Sequence, residues 1–170
     1  MTHMPVSAAV EAVNRALSPD LLQSDSFITL FYASLDTGSG VLRFIDAGHG
    51  MAFVQRRAGG VEVLHQYGLP LGVLPDATYP EGVTTLEPGD TLVIHSDGLP
   101  DARPDLRLDP AGVAEQLGEL KGTQAKLNAL VGLIEQVDSR PDDFTVMLVR
   151  RQDTPPPDTD ESLRRGSSSR

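Results

Sequence analysis

Apolar and polar positions follow two rhythms along the chain, one of strands and one of helices. Residues 91–94 (TLVI) are an unbroken, largely β-branched run, as a strand covered on both faces requires. Pro88-Gly89-Asp90 precedes the run with turn chemistry, and His95-Ser96-Asp97-Gly98 ends it. Residues 27–35 (FITLFYASL) predict a second strand, which the turn 36–40 (DTGSG) joins to a return strand at 41–45. Asp46-Ala47-Gly48-His49-Gly50 interrupts the pattern, with His49 read as a structural loop histidine. Residues 52–55 and 61–65 predict another hairpin about Arg57-Ala58-Gly59-Gly60. The stretch 68–72 (GLPLG) is too rich in Gly and Pro for regular structure. Its leucines favour burial, so it is predicted as an ordered loop over the sheet. Residues 79–86 read as a modest strand, and the middle of the chain as an antiparallel meander.

Helical spacing governs the two ends. Val6, Ala9, Val10, Val13, Ala16 and Leu17 recur at the period of an amphipathic helix, with a stop predicted at Ser18-Pro19-Asp20. Residues 103–108 alternate in charge and read as a loop. Asp109 and Pro110 open a second helix as cap and first residue; it runs through Val113, Leu117 and Leu120 towards Gly122. Thr123 is read as the cap of a third, with Leu127, Leu130, Val131, Ile134 and Val137 on one face and Ser139-Arg140-Pro141 at its end. Asp142-Asp143-Phe144-Thr145 leads into a last strand at 146–149. The organisation predicted is a helix and linker over 1–26, a folded domain over 27–150 and a disordered tail over 151–170.

The chain has 170 residues, enough for one domain with a real core, and 39% of them are hydrophobic. There are no cysteines, which excludes disulfides, thiolate metal sites and cysteine nucleophiles. A formal charge of -10 makes the chain a poor partner for nucleic acid or an anionic membrane. No apolar run is long enough to span a bilayer, and residues 1–5 lack the pattern of a secretory signal. A soluble, cytoplasmic protein is the expectation.

Asp97 leaves one core strand, and Asp142-Asp143 enter another. Each reads either as a turn or as a carboxylate offered to a ligand. Antiparallel neighbours would bring the two ends together, and carboxylates crowded in that way repel one another unless a cation or proton intervenes. Oxygen ligands of this kind suit Mg²⁺ or Mn²⁺.

Four stretches carry a resemblance: FITLFYASLDTGSGVLRFIDAGHG, GLPLGVLPD, LEPGDTLVIHSDGLPDA and DDFTVMLVR. In this order and spacing, over about residues 27–150, the chain resembles the type 2C (PPM) serine/threonine phosphatases of the SpoIIE/RsbU branch. The resemblance implies an α+β fold, an antiparallel β-sandwich flanked by helices, with a binuclear Mn²⁺ or Mg²⁺ site at one end. It implies metal ligands at Asp97 with Gly98, at Asp142 with Asp143, and at Asp101 for a more weakly held ion. The implied reaction is in-line attack of an activated water on phosphorus. The implied substrate is a phosphoserine regulatory protein, such as an anti-anti-sigma factor. The family's opening motif, G-D-x-x-G-H/K-G, does not occur in these residues. The domain is therefore expected to be truncated at its N-terminal side, its metal site incomplete and its sheet edges open to a second copy. The alternative expectation is an impaired relative that acts as a protein-binding module.

Overall fold

The computed structural model describes residues 5–135, 137 and 143–152. Helix α1 (Val6–Gln23) is followed by β1 (Leu30–Leu35), β2 (Val41–Ala47), β3 (Ala52–Gln55), β4 (Val61–Val63), β5 (Gly82–Thr85) and β6 (Thr91–His95). Then come α2 (Gly98–Ala102), α3 (Pro110–Leu117), α4 (Thr123–Glu135) and β7 (Val146–Arg150). The strands form two antiparallel sheets, ordered β1-β2-β5 and β4-β3-β6-β7.

The two-residue period of the strands sorts their side chains into separate cores. Leu42, Phe44, Ala52, Val54, Leu86 and Leu92 fill the space between the sheets. Their neighbours face outward: Ile45 and Ala47 pack with Val6 and Val10 of α1, while Phe53 and Val93 pack with α2, α3 and α4. The predicted α+β sandwich with flanking helices is therefore the fold. Burying each of the Leu, Val, Ile and Phe side chains contributes about 1.5–3 kcal/mol.

Several predicted details differ. The middle of the chain is not one meander, because β2 pairs with β5 and β3 with β6, so the chain passes from sheet to sheet after each hairpin. The strand predicted at 27–35 is regular only from Leu30; Ile28 instead makes an isolated bridge to Leu71. Helix α1 continues through Pro19 to Gln23. Its buried line is Val6, Val10, Asn14 and Ser18, while Val13 and Ala16 are exposed. Tertiary anchoring explains both departures. Asn14 is fully buried and donates to Leu74 O at 2.9 Å and Pro75 O at 3.0 Å, while its Oδ1 accepts from Gly72 N–H at 2.9 Å. One helical amide thus orders the Gly- and Pro-rich loop, as predicted for that loop, although of its leucines only Leu71 is buried. Helix α3 ends at Leu117, before a positive-φ Gly118, and leaves Leu120 exposed. Asp109 caps it as expected, accepting from Gly112 N–H at 2.8 Å.

The sheets are joined at one end by two arginines. The Arg56 guanidinium donates to Thr85 O and Asp90 Oδ2, both at 2.6 Å, to Thr84 Oγ1 at 2.9 Å, and to Glu62. Arg151, at the start of the predicted tail, belongs to the fold: it donates to Leu86 O at 2.7 Å and Ser39 O at 2.9 Å. The rest of that tail and the predicted end of α4 at 139–141 lie outside the described residues.

Candidate metal and catalytic site

Strands β6 and β7 run antiparallel, with His95 opposite Val146. Past the ladder, Ser96 N–H donates to Thr145 O and Thr145 N–H donates to Ser96 Oγ, each at 3.0 Å. Gly98 then lies directly on Asp143: a Cβ added to Gly98 would stand 2.1 Å from the Asp143 carbonyl oxygen. Only glycine allows so close an approach. The exit of one core strand and the entry to the other therefore meet at one edge of the sheet. Asp142 lies outside the described residues.

The residues after Asp97 form a five-residue helix rather than a simple turn. Asp97 sits at its N-cap, yet its side chain makes no capping bond. Asp101 follows four residues on, and its N–H donates to Asp97 O at 3.0 Å. That spacing puts both carboxylates on one face. Asp97, Asp101 and Asp143 are all exposed. Among the described residues, no three His, Cys, Asp or Glu side chains gather closely enough to hold a metal ion.

A second polar group at the same end escaped the sequence reading. Asp46, at the end of β2, is fully buried. Its Oδ1 accepts from His49 N–H at 2.8 Å and Gly50 N–H at 3.0 Å, and its Oδ2 lies 2.5 Å from His65 Nδ1. The turn depends on Gly48 at φ +75°, where a Cβ would strike Pro70. Burial lowers the pKa of His49 against the pull of Asp46 and of Asp97, so its imidazole is neutral near pH 7. His49 thus stands in the fields of both carboxylates, and its Nδ1 accepts from Met51 N–H at 3.3 Å. His95 is buried too; burial lowers its pKa, and its Nε2 has no hydrogen-bond partner among the described residues. An acid closing an apolar strand just before Gly-His-Gly was a usable signal for Asp46. His65 carried none, because its partner lies 19 residues away.

The sequence model of the family described as Stage II sporulation protein E (SpoIIE) matches residues 1–152. The chain is 30% identical over 95 residues to Protein IcfG of Synechocystis sp., covering 56% of this chain and 15% of that protein. It is 27% identical over 152 residues to phosphoserine phosphatase RsbU of Bacillus subtilis, covering 86% of this chain and 45% of that protein. It thus spans less than half the length of these curated relatives. The Mn-presoaked phosphatase domain of SpoIIE from Bacillus subtilis superposes with a TM-score of 0.63 at 18% identity, over 91% of this chain and 76% of that one. The chain belongs to the SpoIIE family, and its sandwich is the fold of that family's phosphatase domain.

Proposed function

We propose that the chain is a protein serine/threonine phosphatase domain dependent on Mn²⁺ or Mg²⁺. The observation that carries this reading is the seating of Gly98 on Asp143, beside an Asp97 carboxylate that caps nothing. The donor set fits a hard cation: carboxylate oxygens that flank two core strands in the sequence, in a chain without cysteine. Asp97, Asp142 and Asp143 would hold the metal and Asp101 a weaker ion, while Gly98 keeps the two backbones together. When bound, the metal pair supplies an activated water and neutralises charge on the phosphoryl oxygens. The protein's own part is positioning. The Ser96–Thr145 hydrogen bonds fix the separation of the two strand ends, and Asp46 holds the His49 loop beside them.

The names of the relatives support the same class, RsbU being a phosphoserine phosphatase and the SpoIIE domain one soaked with manganese. A phosphoserine regulatory protein of a sigma-factor pathway, anti-anti-sigma-like and cytoplasmic, is the partner this reading favours. Exposed Phe27, Ile28 and Tyr32 at the β1 edge suit pairing with a second chain or a second copy. No helix among the described residues is long and apolar enough to cross a membrane.

The test is hydrolysis of p-nitrophenyl phosphate and of a phosphoserine peptide with and without Mn²⁺. Asp97→Asn is expected to lower the Mn²⁺-dependent rate at least about 100-fold. A rate indifferent to that change contradicts the proposal. With no G-D-x-x-G in these 170 residues, the isolated chain is expected to turn over slowly. The alternative, an impaired relative acting as a protein-binding module, is not favoured by the relatives. Tight calorimetric binding of two Mn²⁺ would exclude it.

A further inference from the structure

The end of the sandwich remote from Asp97 holds a buried cation with no carboxylate partner among the described residues. Lys126 on α4 is only 7% exposed. Its ammonium donates to Gln55 Oε1, and Gln55 Nε2 donates in turn to Gly118 O at 2.8 Å. An ammonium carries three donors, so two remain unused among the described residues. Buried lysines are ordinarily paired with an acid, because an isolated charge loses its hydration. Here burial lowers the Lys126 pKa, and the positive charge of Arg150 lowers it further.

The surroundings repeat the anomaly. The chain is acidic overall, at -10. Yet Lys126, Lys121, Arg56, Arg57 and Arg150 line one cavity of about 770 Å³, whose acids among the described residues are Glu115 and Glu119. Gly122, which precedes α4, also lines the cavity. The volume exceeds the need of a lone inorganic anion and falls within the range of small-molecule sites. Gln55 pairs with Thr91, at the opposite end of β6 from Asp97, about 20 Å away along the strand.

We propose that this cavity binds a small phosphate-bearing molecule, with Lys126 as its buried cation. Lys121, Arg57 and Arg150 form the outer positive wall. The site is separate from the carboxylate edge and does not depend on a metal or on phosphatase activity.

The experiment titrates inorganic phosphate, and then pyrophosphate, into the full chain in excess EDTA, followed by calorimetry and by NMR of backbone amides and lysine ε-carbons. Chelation removes any phosphate binding that a metal at Asp97 would support. Saturable binding is expected, with shifts at Gln55, residues 57–60, residues 121–126 and Arg150. Pyrophosphate is expected to bind more tightly than phosphate. Lys126→Met is expected to weaken binding at least about tenfold without lowering the unfolding midpoint, since a methionine removes an unpaired buried charge at similar volume. The exposed Lys121→Gln is expected to weaken it about threefold and guards against a Lys126 variant that does not fold. Absence of saturable binding, or an affinity unchanged in the folded variants, overturns the proposal.

Discussion

Single residues decide the site, and Gly98 and Asp46 are the clearest. Gly98→Ala forces a methyl group onto the Asp143 carbonyl oxygen, 2.1 Å from where it would sit. It is expected to destabilise the chain by about 1–3 kcal/mol, read by urea unfolding, and to weaken Mn²⁺ binding in the same variant. Asp46→Ala leaves the N–H groups of His49 and Gly50 without their acceptor in a closed environment. The expected cost is about 2–4 kcal/mol. A loss below about 0.5 kcal/mol would mean that water replaces the carboxylate there. At this scale the sequence was legible where a residue flanks its own strand, as Asp97 follows β6 and Asp143 precedes β7. Lys126 was illegible, since a lysine at a helical position reads as solvent-facing until Gln55 is seen opposite it.

At the scale of elements, hydrophobic period and turn chemistry located the strands and three of the helices, α1, α3 and α4, but pairing was a different matter. Nothing local in residues 41–55 says that β2 and β3 belong to different sheets; that follows from the long-range partners β5 and β6. Helix α1 shows the same limit. Pro19 predicts a stop, because proline removes a backbone donor, yet the helix continues. Its last turn is held from outside, with Leu21 packed on Gly72 and Asn14 bound to the loop below. Asn14→Ala is therefore expected to cost about 2–4 kcal/mol and to raise hydrogen exchange at Gly72 selectively. Exchange unchanged at Gly72 would show that the loop is ordered by Leu71 and its bridge to Ile28 instead.

Across the whole molecule, two groups of charges set the response to acid. Burial holds the pKa values of His49 and His95 below the ordinary 6.5. The unfolded chain then binds more protons, so this stability is present above pH 6.5 and is lost as pH falls through the lowered folded values. Asp90 responds in a second, lower window. Burial would raise its pKa, but Arg57 N–H, the Arg56 guanidinium and Glu87 N–H hold it below 3.8, and the inter-sheet clamp weakens as pH falls through that lowered value. Urea midpoints of the metal-free chain are expected to fall between about pH 7.5 and about pH 5.5, and again below about pH 4. Flat midpoints across the first interval would show that the histidines keep their solution pKa values. The meeting of the β6 exit with the β7 entry was legible in the sequence because both strands were; whether the acids there supply a complete site was not. The most direct measurement is a Mn²⁺ titration of the metal-free chain followed by electron paramagnetic resonance, in parallel with Asp97→Asn and Asp142→Asn. Binding that weakens at least about tenfold in both variants is the expected result. Binding of the same strength in all three proteins would contradict a shared site at the junction of β6 and β7.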